Sequence, residues 1–152
     1  LTVISAFTVN SIVIINKALT RVRLERRLVI NADQAMQKLV REIREAGALN
    51  ASSTPGVTPG DLSLRTYVSA TSTFLTDADF YLDSGRLVYK KYPGSPIFLT
   101  DSSVSVTRLI FSQITASSSR AVKFELGLSA STPRSTASST FYGTAILRGS
   151  YD

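Results

Sequence analysis

Cysteine, histidine and tryptophan are absent from this chain of 152 residues. Without cysteine the protein has no disulfide bond and no thiol nucleophile. Without histidine it lacks the usual general base near neutral pH and the commonest metal ligand of proteins. These absences favour a non-catalytic protein that needs no cofactor.

Glycine and proline are absent from the first 46 residues, which change from an apolar stretch, Leu1 to Ile15, to an amphipathic charged one. A single helix over this span would be about 70 Å long. The rest of the chain, if compact, has a radius of gyration of about 13 Å, which is too small to cover such a helix. We therefore expect half of the helix to protrude into a bilayer or against copies of itself.

The apolar stretch is shorter than the ~20 residues that a spanning helix needs. It is therefore either an interfacial anchor or the end of a longer one, and the second is the expectation adopted. Asn10 is expected to pair with another helix, because an amide facing lipid is costly. The other positions expected to pack in a membrane or filament core are Val3, Ile4, Phe7, Ile12 and Ile15.

A cluster of cations, here called the basic collar, follows the apolar stretch. Its members are Lys17, Arg21, Arg23, Arg26 and Arg27, opposed only by Glu25. Three interpretations are open: a collar at a membrane surface, a site for DNA or another polyanion, and a solvated helical face. No aromatic residue lies between Phe7 and Tyr67, so no base-stacking platform accompanies the cations.

From Leu19 onward apolar residues recur at steps of three and four, which predicts an amphipathic helix. The positions expected to form its contact with a sheet are Leu28, Met36, Leu39 and Ile43. Lys38 and Glu42 fall on the face predicted to be solvated. Gly47 is the expected helix C-cap. A coiled-coil stalk is an alternative, although the pattern covers few heptads.

Beyond a predicted linker, residues 50–60, the apolar period changes to two, which predicts strands. Phe80 to Lys91 is typical of a hairpin that turns at Ser84 and Gly85. A shift of parity predicts a bulge near Thr107. Turns rich in serine and threonine are expected at 115–119 and 129–139, and the last strand at 140–148. The short spacing leaves no room for crossover helices, so the sheet is predicted to be mainly antiparallel.

The predicted organisation is α+β. Residues 1–25 form the protruding helix with its basic collar. Residues 26–152 form a head with a helix at 26–47, the linker at 50–60 and a β-sheet at 61–152.

The order of these parts resembles the type IV pilin and pseudopilin superfamily. The likeness rests on an apolar helix that continues into RLERRLVINADQAMQKLVREIREAG, then YLDSGRLVYKK, then LTDSSVSVTRLIF, and a strand ending in LR. Within that superfamily the chain is most similar to minor pilins and to the J-type minor pseudopilins of type II secretion.

The resemblance implies a pilin-like fold and a structural subunit of a filament. Its partners would be other pilin or pseudopilin subunits, and the membrane before assembly. Its location would be the cytoplasmic membrane first, and the periplasm, cell surface or extracellular filament afterwards. The resemblance also places Leu1 inside the family's membrane helix, so the methylated aromatic start and the nearby glutamate of that family are expected upstream.

Two other functions are open. One is a membrane-anchored or tip-located module for adhesion or DNA uptake, which would use the basic residues and surface loops. The other is a carboxylate-based hydrolase, for which no pair of acids is brought together by the sequence. Asp77, Asp79 and Asp83 could collect a cation, but DADFYLD lacks the glycine and glutamate of an EF-hand loop. An acidic hairpin lip is the favoured interpretation.

Overall fold

A computed structural model of the chain describes residues 2–68, 73–116 and 119–148, with side chains from Ile12 onward. One helix, α1, runs unbroken through Thr2–Glu45. Its 44 residues correspond to about 66 Å. The first buried side chain among those described is that of Leu24, so the described side chains before it lie outside the buried core.

The rest of the described chain forms two antiparallel sheets in which each strand pairs with its neighbour in sequence. The first sheet contains β1 (Ala48–Leu49), β2 (Leu62–Tyr67), β3 (Leu75–Asp83), β4 (Arg86–Lys91) and β5 (Ile97–Phe98). The second contains β6 (Ser105–Thr115), β7 (Arg120–Thr132) and β8 (Ser135–Ile146). The α+β class and the antiparallel pairing are confirmed, whereas the expectation of one sheet is wrong.

The two sheets are joined at the hairpin turn of the first. Ser84 and Gly85 both have positive φ, 51° and 73°, as a two-residue turn between twisted strands requires. The Gly85 carbonyl accepts a hydrogen bond from Val106 N–H at 2.8 Å. The predicted hairpin is confirmed, and its turn also fixes the start of β6.

The predicted bulge is confirmed, because the register of β6 against β7 shifts between Val106 and Arg108. The predicted turn at 129–139 is wrong. β7 continues to Thr132 and β8 begins at Ser135, so the turn is confined to Pro133 and Arg134. Serine and threonine occupy solvent-facing strand positions here, and such residues pair well across strands.

The segment 50–60 is not the free linker that its composition suggested. Gly56 N–H donates to Phe111 O at 2.7 Å and Gly60 N–H to Leu109 O at 2.9 Å, so the segment closes the outer edge of β6. Gly60 is buried, and a Cβ there would lie 3.0 Å from Val57 O. Close backbone approach explains this glycine.

The core lies between α1 and the second sheet, with contributions from β2, β3 and β4 of the first. Leu28, Leu39 and Ile43 are buried and Met36 is half-buried against the same cluster. Alternate residues of β7 are buried as predicted: Val122, Phe124, Leu126, Leu128 and Ala130. The helix ends at Glu45, and Gly47 is not in the left-handed conformation of a glycine C-cap. Its N–H instead donates to Arg65 O at 3.0 Å, which starts the first sheet.

Candidate assembly surface

The apolar half of α1 is uncovered wherever its side chains are described. Ile12, Val13, Ile14 and Ile15 are 53%, 44%, 60% and 59% exposed. Four consecutive residues span slightly more than one helical turn, so the helix is apolar on all sides here. Two of the predicted core-packing residues, Ile12 and Ile15, belong to this exposed surface. The other four, Val3, Ile4, Phe7 and Asn10, lie on the helix before the first described side chain.

A second apolar surface, here called the outer stripe, lies on the side of α1 that faces away from the sheets. Its exposed members are Leu19, Val22, Val29 and Ile30. Leu24 and Leu28, between them in sequence, are buried on the opposite side. The sequence analysis identified only the buried stripe. The signal for the outer stripe was available as a second set of apolar residues at helical spacing, half a turn away.

The basic collar is fully solvent-facing, since all of its members are exposed. Arg21 Nε donates to Glu25 Oε1 at 3.0 Å, but both side chains are more than half exposed, so this pair adds little stability. The collar surrounds the helix between the apolar segment and the head. Its members lie on several sides of the helix, interleaved in sequence with the outer stripe.

A polar contact holds the head against α1 at the level of the collar. Asn31, which the sequence analysis did not single out, donates from Nδ2 to Arg27 O at 2.9 Å and accepts Asp101 N–H at Oδ1 at 2.7 Å. The Asp101 carboxylate accepts hydrogen bonds from Ser103 N–H and Ser102 Oγ, which lower the pKa of that carboxyl group. One amide thus ties the loop before β6 to the helix.

Glu42 is 3% exposed, so its assignment to the solvated face is wrong. Lys38 Nζ donates to Glu42 Oε1 at 2.6 Å and lies 4.2 Å from the centre of the Tyr89 ring. Burial, then the nearby Glu42 carboxylate, raises the pKa of the Tyr89 hydroxyl. Packing against Tyr89 brings this ion pair into the interface between helix and first sheet, where its role is structural.

The three aspartates of the predicted hairpin lip do not converge. Asp79 Oδ1 accepts a hydrogen bond from Ser63 Oγ at 2.6 Å, Asp77 lies 4.0 Å from Arg65 Nε, and Asp83 accepts one from the neighbouring Ser84. Within the described part of the chain no cluster of three acidic, histidine or cysteine residues is arranged to bind a metal ion.

Comparison with protein-family models, with curated proteins and with solved structures finds no match to this chain. No helical stretch in the described ranges reaches the length and hydropathy required to cross a bilayer.

Proposed function

We propose that this chain is a non-catalytic structural subunit of a type IV pilus or secretion pseudopilus. Its N-terminal helix would hold it in the membrane before assembly and pack against other pilin or pseudopilin subunits afterwards. The observation that carries the proposal is the uncovered apolar surface of α1, which is apolar on all sides at residues 12–15 and continues along the outer stripe. Such a surface requires lipid or other helices around it.

The division of α1 into a distal half packed on the head and an exposed proximal half supports the same role. Its distal half is committed to the head through Leu28, Leu39 and Ile43, so the side chains that α1 contributes to the core all come from that half. The proximal half is then free to exchange lipid for neighbouring helices while the sheets stay outside. This separation of a folded head from an assembling stem is what a filament subunit needs.

The outer stripe gives a direct test. Val22→Asp and Val29→Asp place a charge at exposed positions, so they leave the head folded while making helix contacts costly. The matched control is Gln34→Asp, at an exposed polar position of the same helix. The readouts are chemical crosslinking of the full chain in lipid vesicles and electron microscopy of filaments from cells that carry each variant.

We expect crosslinked oligomers and filaments to be lost in both valine variants and kept in the control, at unchanged melting temperature. Unchanged assembly in the valine variants would refute the assignment of this surface to subunit packing.

The mature N-terminus gives an independent test. Intact mass and N-terminal sequencing of the protein from its native membrane or filaments are expected to reveal residues upstream of Leu1. These residues are expected to open with a methylated aromatic residue and to carry a glutamate near the fifth position. A native protein that begins at Leu1 with a free amine would contradict the pilin interpretation.

The exposed basic collar favours a second candidate function, binding of a polyanion such as DNA by a tip-located subunit. Changing Arg21, Arg23, Arg26 and Arg27 to Gln is then expected to abolish salt-sensitive DNA binding by the full chain. Filament assembly that survives these changes together with lost DNA uptake would establish the binding role. DNA binding that persists in the quadruple variant would exclude the collar as its site.

A further inference from the structure

β8 has a long free edge. It is the outermost strand of the second sheet and pairs with β7 over its 12 residues without a register shift. No strand in the described part of the chain pairs with its other side. A free edge of this length offers a row of backbone N–H and C=O groups to an added strand.

The hydrogen-bond pattern shows which residues of β8 direct their backbone N–H and C=O groups away from β7. Leu147 N–H donates to Arg120 O at 3.0 Å, and these two residues stand opposite each other in the continued register. Hydrogen-bonded pairs alternate along an antiparallel ladder, so odd-numbered residues of β8 bond to β7 and even-numbered ones direct their N–H and C=O outward. The outward set is Thr136, Ser138, Thr140, Tyr142, Thr144 and Ile146, all of which are exposed.

The sequence of this edge lacks the charges, proline and bulges that usually prevent strand addition. Residues 135–147 contain no charged residue and no proline, and the strand has no bulge. The other described sheet edges are short or covered. β1 and β5 have two residues each, and the loop that carries Gly56 and Gly60 covers the middle of β6, at Leu109 and Phe111.

Cations stand at both ends of the neutral edge. Arg134 lies just before β8 and lines one groove with Lys17, while Arg148 lies just after it and lines another with Arg44 and Ile146. None of these four cations forms an ion pair within the described residues. Charge complementarity therefore calls for a strand that is neutral in its middle and acidic at both ends.

A second copy of this chain does not fit that description. Antiparallel pairing of two β8 edges would bring Arg134 of each copy next to Arg148 of the other, so like charges would meet at both ends. Pairing of β8 with a different edge of another copy would need a second long open edge. Among the described edges, β1 and β5 are too short, and β6 is interrupted at Leu109 and Phe111 by the loop bonded there.

We propose that the free edge of β8 takes up an extended segment of a different protein, neutral in the middle and acidic at both ends, as an added β-strand. The inference goes beyond the filament role and does not depend on it, because neither the outer stripe nor the apolar segment of α1 takes part.

The test measures peptide binding to the full chain in detergent by fluorescence anisotropy. One labelled peptide, of the length of β8, alternates threonine and valine and carries two aspartates at each end. The comparison peptide carries lysines instead. Thr140→Pro removes one outward N–H without touching the ladder to β7, and Thr140→Val is its matched control, because it keeps that N–H.

We expect the aspartate peptide to bind, and Thr140→Pro to weaken binding by about tenfold while Thr140→Val does not. A second variant tests the proposal with position 140 unchanged, so that its result does not depend on the folding of Thr140→Pro. Arg134→Glu combined with Arg148→Glu is expected to weaken the aspartate peptide roughly fivefold and to favour the lysine peptide. Arg23→Glu with Arg27→Glu changes the net charge equally, but away from the edge, and is expected to have no such effect.

Three results would overturn the proposal. The first is no binding of the aspartate peptide, and the second is equal binding of both peptides. The third is a chain that dimerises in solution and becomes monomeric with Thr140→Pro, which would assign the edge to a second copy.

Discussion

Gly143 faces Phe124 directly across the β7–β8 ladder. A Cβ built on Gly143 would lie 2.2 Å from Phe124 Cζ, 2.6 Å from Cε2 and 3.0 Å from Cε1. Phe124 is fully buried, so its ring covers the glycine and has no free space to withdraw into. We therefore expect Gly143→Ala to destabilise the head even though alanine is a small residue.

The size of the effect follows from two opposing terms. Relief of the closest contact needs a displacement of about 1 Å, which a ring in a close-packed interior cannot make freely. Overpacking of this kind costs about 1–3 kcal/mol, while replacing glycine by alanine lowers the entropy of the unfolded chain and returns about 0.4–1 kcal/mol. The expected net loss is about 1–2 kcal/mol, or roughly 2–8 °C in melting temperature for a chain of this size.

Urea unfolding of a fragment that begins before Leu24, followed by circular dichroism, measures this loss. The matched control is Gly47→Ala, where the nearest atom to an added Cβ is Arg65 O at 3.9 Å, and no destabilisation is expected. Phe124→Leu destabilises the head on its own, but it gives the new methyl group room. The double variant is therefore expected to be more stable than the sum of the two changes predicts. A neutral Gly143→Ala, or strict additivity, would refute the assigned contact.

Three further changes test the junction of helix and sheets. Leu39→Asp puts a charge at a fully buried position, and a fragment that kept its melting temperature after this change would disprove the docking of α1. Asn31→Ala removes the acceptor of Asp101 N–H and is expected to cost about 0.5–2 kcal/mol in urea unfolding; hydrogen exchange at Asp101 should rise, and unchanged exchange would count against the contact. The pKa of Tyr89 is raised in the folded state, so the stability linked to it is complete below about pH 10 and is lost as the pH rises further. Tyr89→Phe is expected to flatten the pH dependence of unfolding above that value, and a profile identical to that of the wild type would exclude the linkage.

The features that could be predicted from the sequence are those set by neighbours in the chain. The turn at Ser84 and Gly85 follows from local turn chemistry, and the alternation along β7 from the strand period. The buried stripe of α1 follows from helical spacing in the same way, and the structure confirms Leu28, Leu39 and Ile43 in the core.

The features that could not be predicted depend on contacts between distant residues. The local sequence does not distinguish Asn31 from other polar residues of a helix, because the residue that donates to it, Asp101, lies 70 residues later. Glu42 has the sequence context of a solvated face, and only Tyr89 on the first sheet and the Lys38 contact explain its burial. The segment 50–60 has the composition of a linker, yet its backbone completes the edge of β6. Composition does not reveal where backbone hydrogen bonds go.

In the proposed filament, the outer stripe would also limit how strongly two subunits bind each other. Its four members are each about half exposed, so complete burial would contribute about 1 kcal/mol for each side chain. Two helices that buried both stripes against each other would then gain roughly 8 kcal/mol, which corresponds to micromolar affinity before the entropic costs of association, and these amount to about 4–15 kcal/mol. Such a contact cannot make a stable dimer of free subunits. It becomes sufficient when subunits share a membrane, which raises their effective concentration, and when each helix touches several neighbours at once.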